Sequence, residues 1–376
     1  MTEQSVTPSI LEGAATSAPD GGPKKSSTPG YRSDRRGAIG RAWESSRRTR
    51  PVIVLTLALF IFVSITQSSF LTSQNLQNLL TAVSVLWLIA LAQTFAMLTG
   101  GIDLSMGALA ALVSVFLGKL LGGSLPEWSA LVLALLFGTA IGALINGMLI
   151  GRAKLSFFIV TLATATTMGG VVLIWSNQES KLLIGANLIN DLSIEKFAGI
   201  AAPIWIMAIT LVIALYVQRR TYFGRNLYAV GGSAAAARLS GIRVERTTIA
   251  VFGICGFCAA LAGVVGTGQV GAATPVVNQT IALQAIAAVL LGGTSLFGGS
   301  GGVGGTALGV LFIGVLQNAL NLSGVAIAWQ EVVTGVILIA AIIAIPSATG
   351  GGRLTLVRRI LRRGPAGGTP AEASTA

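Results

Sequence analysis

The chain has 376 residues, 53% of them hydrophobic and only 10% charged, with 48 glycines and a mean hydropathy of +0.79. Soluble domains carry about 25% charged residues, so this composition excludes a solvated cytosolic enzyme, and it is too apolar for a disordered chain. Lys and Arg outnumber Asp and Glu by 25 to 13, a net charge of +12, and the placement of those charges decides whether they mean nucleic acid or something else.

Residues 1–50 are polar, rich in Pro, Ser, Gly and Thr, with no early apolar core. They read as a disordered arm and not as a secretory signal. Apolar runs come next, at Val52–Thr66, Leu79–Thr99, Leu104–Leu121, Trp128–Ile150, Phe157–Trp175, Pro203–Val217, Thr247–Gly266, Ile281–Leu296, Val303–Asn321 and Trp329–Ile345. One span of the hydrocarbon core takes about 20 apolar residues, so the shorter runs extend into flanking polar residues. The fold class is all-α: a polytopic membrane protein with about ten transmembrane helices, a membrane domain over 51–346 and a polar tail over 347–376.

Ten spans put both ends of the chain on one side. Of the 25 basic residues, 22 fall on that side: nine in the arm, Arg152 and Lys154, six from Arg219 to Arg246, and five in the tail. Only Lys119, Lys181 and Lys196 fall opposite. By the positive-inside rule, both termini and the loop 219–246 are cytoplasmic. The charge surplus is therefore a map of topology. It implies no nucleic-acid partner, because the arginines are scattered over loops and form no stripe.

The sequence contains no histidine, which removes His-based acid–base catalysis and His metal ligation. Cys255 and Cys258 make a C-x-x-C inside an apolar run, with no second pair to complete a zinc site, so they read as packing residues. Gly266–Gly271 and Gly299–Gly304 match G-x-G-x-x-G without a strand before them, and no Walker A occurs. Gly138/Gly142, Gly147/Gly151 and Gly305/Gly309 are small-x-x-x-small pairs that let helices approach closely in lipid. Asp103 and Glu331 alone among the acids sit at span edges, which argues against an ion- or proton-coupled carrier.

Three segments carry more. In the first, Leu98–Gly107, the second run ends in Gly100 and Gly101 and the third begins at once, so that Asp103 or Ser105 can cap its exposed N–H groups. The second is the basic loop. Gly231 and Gly232 make a turn there, Ser233 caps a short helix Ala234–Ser240, and Gly241 takes the left-handed position that ends it. A helix with defined ends is more than a connector needs and reads as a docking helix for a cytoplasmic partner. The third, Ala288–Leu322, holds eight glycines between Gly292 and Gly305, too many for a continuous helix and suited to a broken one buried in protein. It echoes the first segment, with Gly292 and Gly293 standing in for Gly100 and Gly101.

Together the segments resemble the permease subunits of bacterial ribose- and xylose-type sugar ABC importers, a family that includes the branched-chain amino acid permeases. The carriers are the G-G-I-D-L-S-x-G turn at Gly100–Gly107, the G-R-x-x-Y-A-x-G-G…A-A-R-L-S-G-I loop at Gly224–Ile242, and the G-G-T-S-L-x-G-G…N-L stretch at Gly292–Leu322. The resemblance implies a fold like the type II, vitamin B12-type importers. It implies a separate cytoplasmic ATPase that holds ATP and Mg, with no cofactor in this chain. It also implies a periplasmic or lipid-anchored sugar-binding protein, and a second permease chain in a bacterial inner membrane, most simply as a homodimer. Ala234–Ser240 is then the coupling helix, with Gly224, Arg225, Gly231, Gly232, Ser233, Arg238, Leu239 and Gly241 as its coupling residues. Family members usually carry Asn and then acidic residues after the Gly pair, where this chain has Ser233, Ala234 and Ala235.

A neutral, hydroxyl-rich sugar needs no ion pairs along its path. Gln93, Asn146, Thr161, Thr164, Gln284 and Asn318 are the candidate lining groups, and each can instead bond between helices. Other readings stay open: a permease for branched-chain amino acids or another small polar solute, an ion-coupled secondary carrier, or a membrane-embedded enzyme.

Overall fold

The computed structural model describes residues 38–344 apart from 184 and 277. The chain divides into two units, Met1–Ala42 and Trp43–Ala376, and the second holds the membrane helices. The tail 347–376 and most of the N-terminal arm lie outside the described residues.

Each apolar run overlaps helix, with Trp128–Ile150 spread over two helices joined by a π-helical stretch. In order the helices are α1 (Ala38–Thr66), α2 (Ser73–Leu98), α3 (Met106–Leu121), α4 (Glu127–Ile141), α5 (Met148–Gly151), α6 (Phe157–Ser176), α7 (Asn187–Ser193), α8 (Ala202–Arg220), α9 (Tyr222–Gly232), α10 (Ala234–Leu239), α11 (Val244–Val270), α12 (Gln279–Leu291), α13 (Val303–Leu322) and α14 (Ile327–Ala344). Among the described residues, six helices are long and apolar enough to cross a membrane: α2, α4 continued through α5, α6, α8, α11 and α13. The chain is an all-α polytopic membrane protein. Its only strands among the described residues are two-residue ribbons, Lys181–Leu182 against Ala272–Ala273 and Lys196–Phe197 against Ile200–Ala201.

The helices differ from the apolar runs where polar chemistry intervenes. α2 starts at Ser73 because the Thr72 hydroxyl accepts from the Asn75 N–H, satisfying a donor that the helix itself leaves free. α1 starts at Ala38, inside the arm expected to be irregular. α12 stops at Leu291, so Leu296 lies in a loop and not on the helix, as Gly292 and Gly293 end it.

α2 and α11 form the centre. In their most apolar stretches 78% of α2 and 67% of α11 is buried, against 17% for α8. α11 packs on α2, α3 and α4. No hydrophobic effect drives helices together in lipid, so close contact and polar bridges must do so. Thr267 on α11 lies 2.6 Å from the Ser114 hydroxyl on α3, and Thr94 on α2 lies 2.7 Å from Thr306 on α13. Where α11 crosses α4, Gly142 and Gly256 face each other; a Cβ on Gly142 would lie 2.8 Å from the Gly256 Cα. Cys255 and Cys258 are buried free thiols on the inner face of α11.

The join of α4 to α5 is a π-helical stretch, Gly142–Gly147. The wider turn inserts an extra residue and re-aims the side chains beyond it, which is why such stretches gather at functional sites. Here it turns Asn146 inward.

Candidate functional site: a hub of glycine turns and a buried polar chain

The basic loop folds as two helices. The Thr221 hydroxyl accepts from the Gly224 N–H and starts α9. α9 runs through Gly231 and Gly232, so those two form its last turn and not the separate turn expected. The Ser233 hydroxyl accepts from the Ala236 N–H and starts α10, and Gly241 comes after it with φ +79°, as expected for a left-handed helix end. Replacing Gly241 with Ala forces a Cβ into that region at a cost of about 1 kcal/mol. The expected readout is faster proteolysis of the 233–243 segment, with the membrane helices intact.

α10 shows two faces. Ala237 is buried against Val230 and Val244, whereas Arg238 and Leu239 point away, Leu239 being 92% exposed. Arg225 on α9 is exposed too, and its guanidinium stacks 4.2 Å from the ring centre of Tyr222. Gly232 is also open, since a Cβ there would meet nothing within 4 Å.

The inner face of α9 binds the two glycine turns. Gly231 sits on the turn after α2, where a Cβ would overlap the Leu98 carbonyl oxygen and lie 2.6 Å from the Gly299 N. The Gly299 N–H itself donates to the Leu98 carbonyl at 3.0 Å. The Tyr228 hydroxyl donates to the Gly301 carbonyl at 2.8 Å and accepts from the Gln218 amide. The Gln218 Oε1 in turn accepts from the Val303 N–H at 3.0 Å, the first residue of α13. Burial pushes the Tyr228 phenol above its ordinary range. The three segments singled out in the sequence thus meet at one hub. Gln218 and Tyr228, which clamp it, carried no assigned role there; the one signal was the polar Gln218 directly after an apolar run.

The two turns share one geometry, shifted by a residue from the sequence echo. Gly100 (φ +82°) matches Gly293 (φ +82°). The Gly101 N–H reaches the Ala96 carbonyl as the Thr294 N–H reaches the Val289 carbonyl. Both are helix ends closed by a left-handed glycine.

Next to the first turn runs a buried polar chain. Asp103 Oδ1 accepts from the Ser105 N–H at 2.9 Å and from the Ser105 hydroxyl at 2.6 Å. Asp103, more than Ser105, thereby holds the start of α3. The Asn146 amide donates to the Ser105 hydroxyl at 2.8 Å, and the Thr164 hydroxyl lies 2.8 Å from the Asn146 Oδ1. Gln93 Oε1 accepts from the Asp103 N–H at 3.3 Å. Of the six candidate lining groups, Gln93, Asn146 and Thr164 join this chain. Thr161 lies one turn from Thr164, and its hydroxyl is buried without a partner, as is the Gln93 Nε2. The other two stand apart: Asn318 is paired with Asn75 through two amide bonds of 3.0 Å, and Gln284 is partly exposed on α12.

The membrane domain is all-α, and its exposed basic loop is bonded to the turns between its helices. The chain belongs to the family described as the branched-chain amino acid transport system permease component, matched over residues 75–342. It is 36% identical to the ribose import permease protein RbsC of Escherichia coli (strain K12), over 81% of this chain and 94% of that protein. Its identity to the RbsC of Bacillus subtilis (strain 168) is 41%, over 76% of this chain and 88% of that one. With the D-allose transport system permease protein AlsC of Escherichia coli (strain K12) it is 38%, over 77% and 88%. No solved structure gives a significant match. The family consists of permease components and not of catalytic subunits.

Proposed function

We propose that this chain is the transmembrane subunit of an ATP-driven ABC importer that moves a monosaccharide across the bacterial inner membrane. The observation that carries this reading is the hub: α9 ties α10 to the turns after α2 and α12, so a pull on α10 is delivered to the helices themselves. Relatives that are sugar permeases support the substrate class, and the buried, uncharged amide and hydroxyl groups of the polar chain suit it.

In this reading the fold is of the type II kind with ten spans and both termini cytoplasmic, as the basic residues favour. A cytoplasmic ATPase, which binds ATP and Mg, docks on the outer faces of α9 and α10 through Arg225, Gly232, Arg238 and Leu239. A sugar-binding protein delivers substrate on the opposite side, and a second copy of this chain completes the pathway. ATP binding draws the paired coupling helices together, and the membrane helices rock between two packings.

Leu239→Asp tests the docking face. It removes an exposed apolar anchor without touching the fold, so the permease accumulates normally while ATPase co-purification falls at least tenfold and sugar uptake is lost. Normal co-purification together with normal uptake from both Leu239→Asp and Arg238→Ala refutes the assignment. Uptake that survives deletion of the ATPase and collapses with an uncoupler marks an ion-coupled carrier instead.

A further inference from the structure

Two cavities at the basic-loop end share one residue, Arg246. The first is an apolar groove of about 480 Å³ between the α4 side, at Ala143, and α11, at Ile249, Ala250, Gly253 and Phe257. The second is a polar cavity of about 450 Å³ whose lining includes Asn226, Ser240, Arg243 and Arg246. Neither takes part in the hub or in the buried polar chain.

The groove runs along one face of α11, since its residues recur at helical spacing. From Arg246 to Phe257 it extends roughly 16 Å along the helix, the scale of most of a lipid acyl chain. Small residues keep it open: Gly253 and Ala250 on α11, and Ala143 in the π-helical stretch. Arg243 and Arg246 are both exposed, and neither forms an ion pair among the described residues. Glu245 is the one carboxylate between Arg219 and Arg246. Guanidinium groups match phosphate oxygens in charge and in fork geometry.

We propose that this pair of cavities binds an anionic phospholipid, with its phosphate on Arg243 and Arg246 and one acyl chain along α11. Charge complementarity selects the occupant. A free anion has no use for the apolar groove, and a neutral lipid has none for two unpaired arginines. Ser240, Gly241 and Ile242, which close α10, line the polar cavity. A headgroup there braces the docking helix against α11, making the coupling joint sensitive to the lipid around it.

The test uses the full chain in nanodiscs of phosphatidylcholine with a minor share of phosphatidylglycerol, and then native mass spectrometry of the lipids that stay bound. Phosphatidylglycerol is retained over phosphatidylcholine by about thirtyfold, as two arginines at a membrane surface provide. Arg243→Ala with Arg246→Ala abolishes that preference, and Arg220→Ala, an exposed arginine outside both cavities, keeps it. Ala250→Trp fills the groove and lowers retention with both arginines in place; it carries the test by itself if the double variant fails to fold. Equal retention of the two lipids overturns the proposal. So does a loss as large in Arg220→Ala, unaltered retention in Ala250→Trp, or displacement of the lipid by inorganic phosphate.

Discussion

Replacing Gly231 with Val is expected to abolish sugar uptake while the ATPase still co-purifies. The new side chain has no space: its Cβ overlaps the Leu98 carbonyl oxygen and crowds the Gly299 N. Both neighbours are backbone, in turns fixed by left-handed glycines, so neither swings aside as a flexible side chain would. Overpacking of this kind costs about 2 kcal/mol, enough to shift a two-state equilibrium roughly thirtyfold. The least costly relief moves α9 off the turns and breaks the bond from the Tyr228 hydroxyl to the Gly301 carbonyl. The outer face of α10 stays as it was, so the partner still docks but its motion no longer reaches the spans. The check is uptake against co-purification in the same preparation, with Gly170→Ala, whose Cβ meets nothing within 4 Å, as the reference. Uptake within twofold of the parent refutes the hub as a mechanical link.

Asp103→Ala is expected to cost about 3 kcal/mol of stability. The Asp103 Oδ1 accepts both the N–H and the hydroxyl of Ser105. Removing it leaves those donors buried without a partner, and the start of α3 loses its anchor. The loss passes on, because Ser105 positions Asn146 and Asn146 meets Thr164. Asp103→Asn keeps an acceptor in the same place and should lose about a third as much. Thermal denaturation in detergent, with the ranking parent, Asp103→Asn, Asp103→Ala, is the measurement. A reversed ranking, or no effect from either, means that the chain is not held through this carboxyl group.

Much of the fold was legible because it is local. Ten apolar runs each overlapped helix, since hydropathy is a property of neighbouring residues. Ser233 and Gly241 gave both ends of α10, because a cap and a left-handed glycine are one-residue events. The glycines from Gly292 onward gave the break between α12 and α13. The extension of α9 through Gly231 and Gly232 was not legible: a Gly pair reads as a turn until a tertiary surface rewards helix there. The π-helical stretch left no trace either, although it sets where Asn146 points. The hub was invisible for a related reason. Its bonds join Leu98 to Gly299 and Gln218 to Val303, pairs that no local pattern connects. The sequence chose the proposed lining residues by chemical type alone. It had no means of separating Gln93, Asn146 and Thr164, which share one buried chain, from Asn318, which is spent on holding α13 to α2.

The two faces of α10 obey different rules of change. Ala237 is buried and Ser233 caps the helix, so both are held by the fold itself. Arg238, Leu239 and Gly232 touch little or nothing within the chain. Only a partner can constrain them. Substitutions on that outer face are therefore nearly free for folding. The loop is in effect an exchangeable adaptor mounted on a fixed machine. In the proposed coupling, a lineage can change its ATPase without rebuilding the membrane helices.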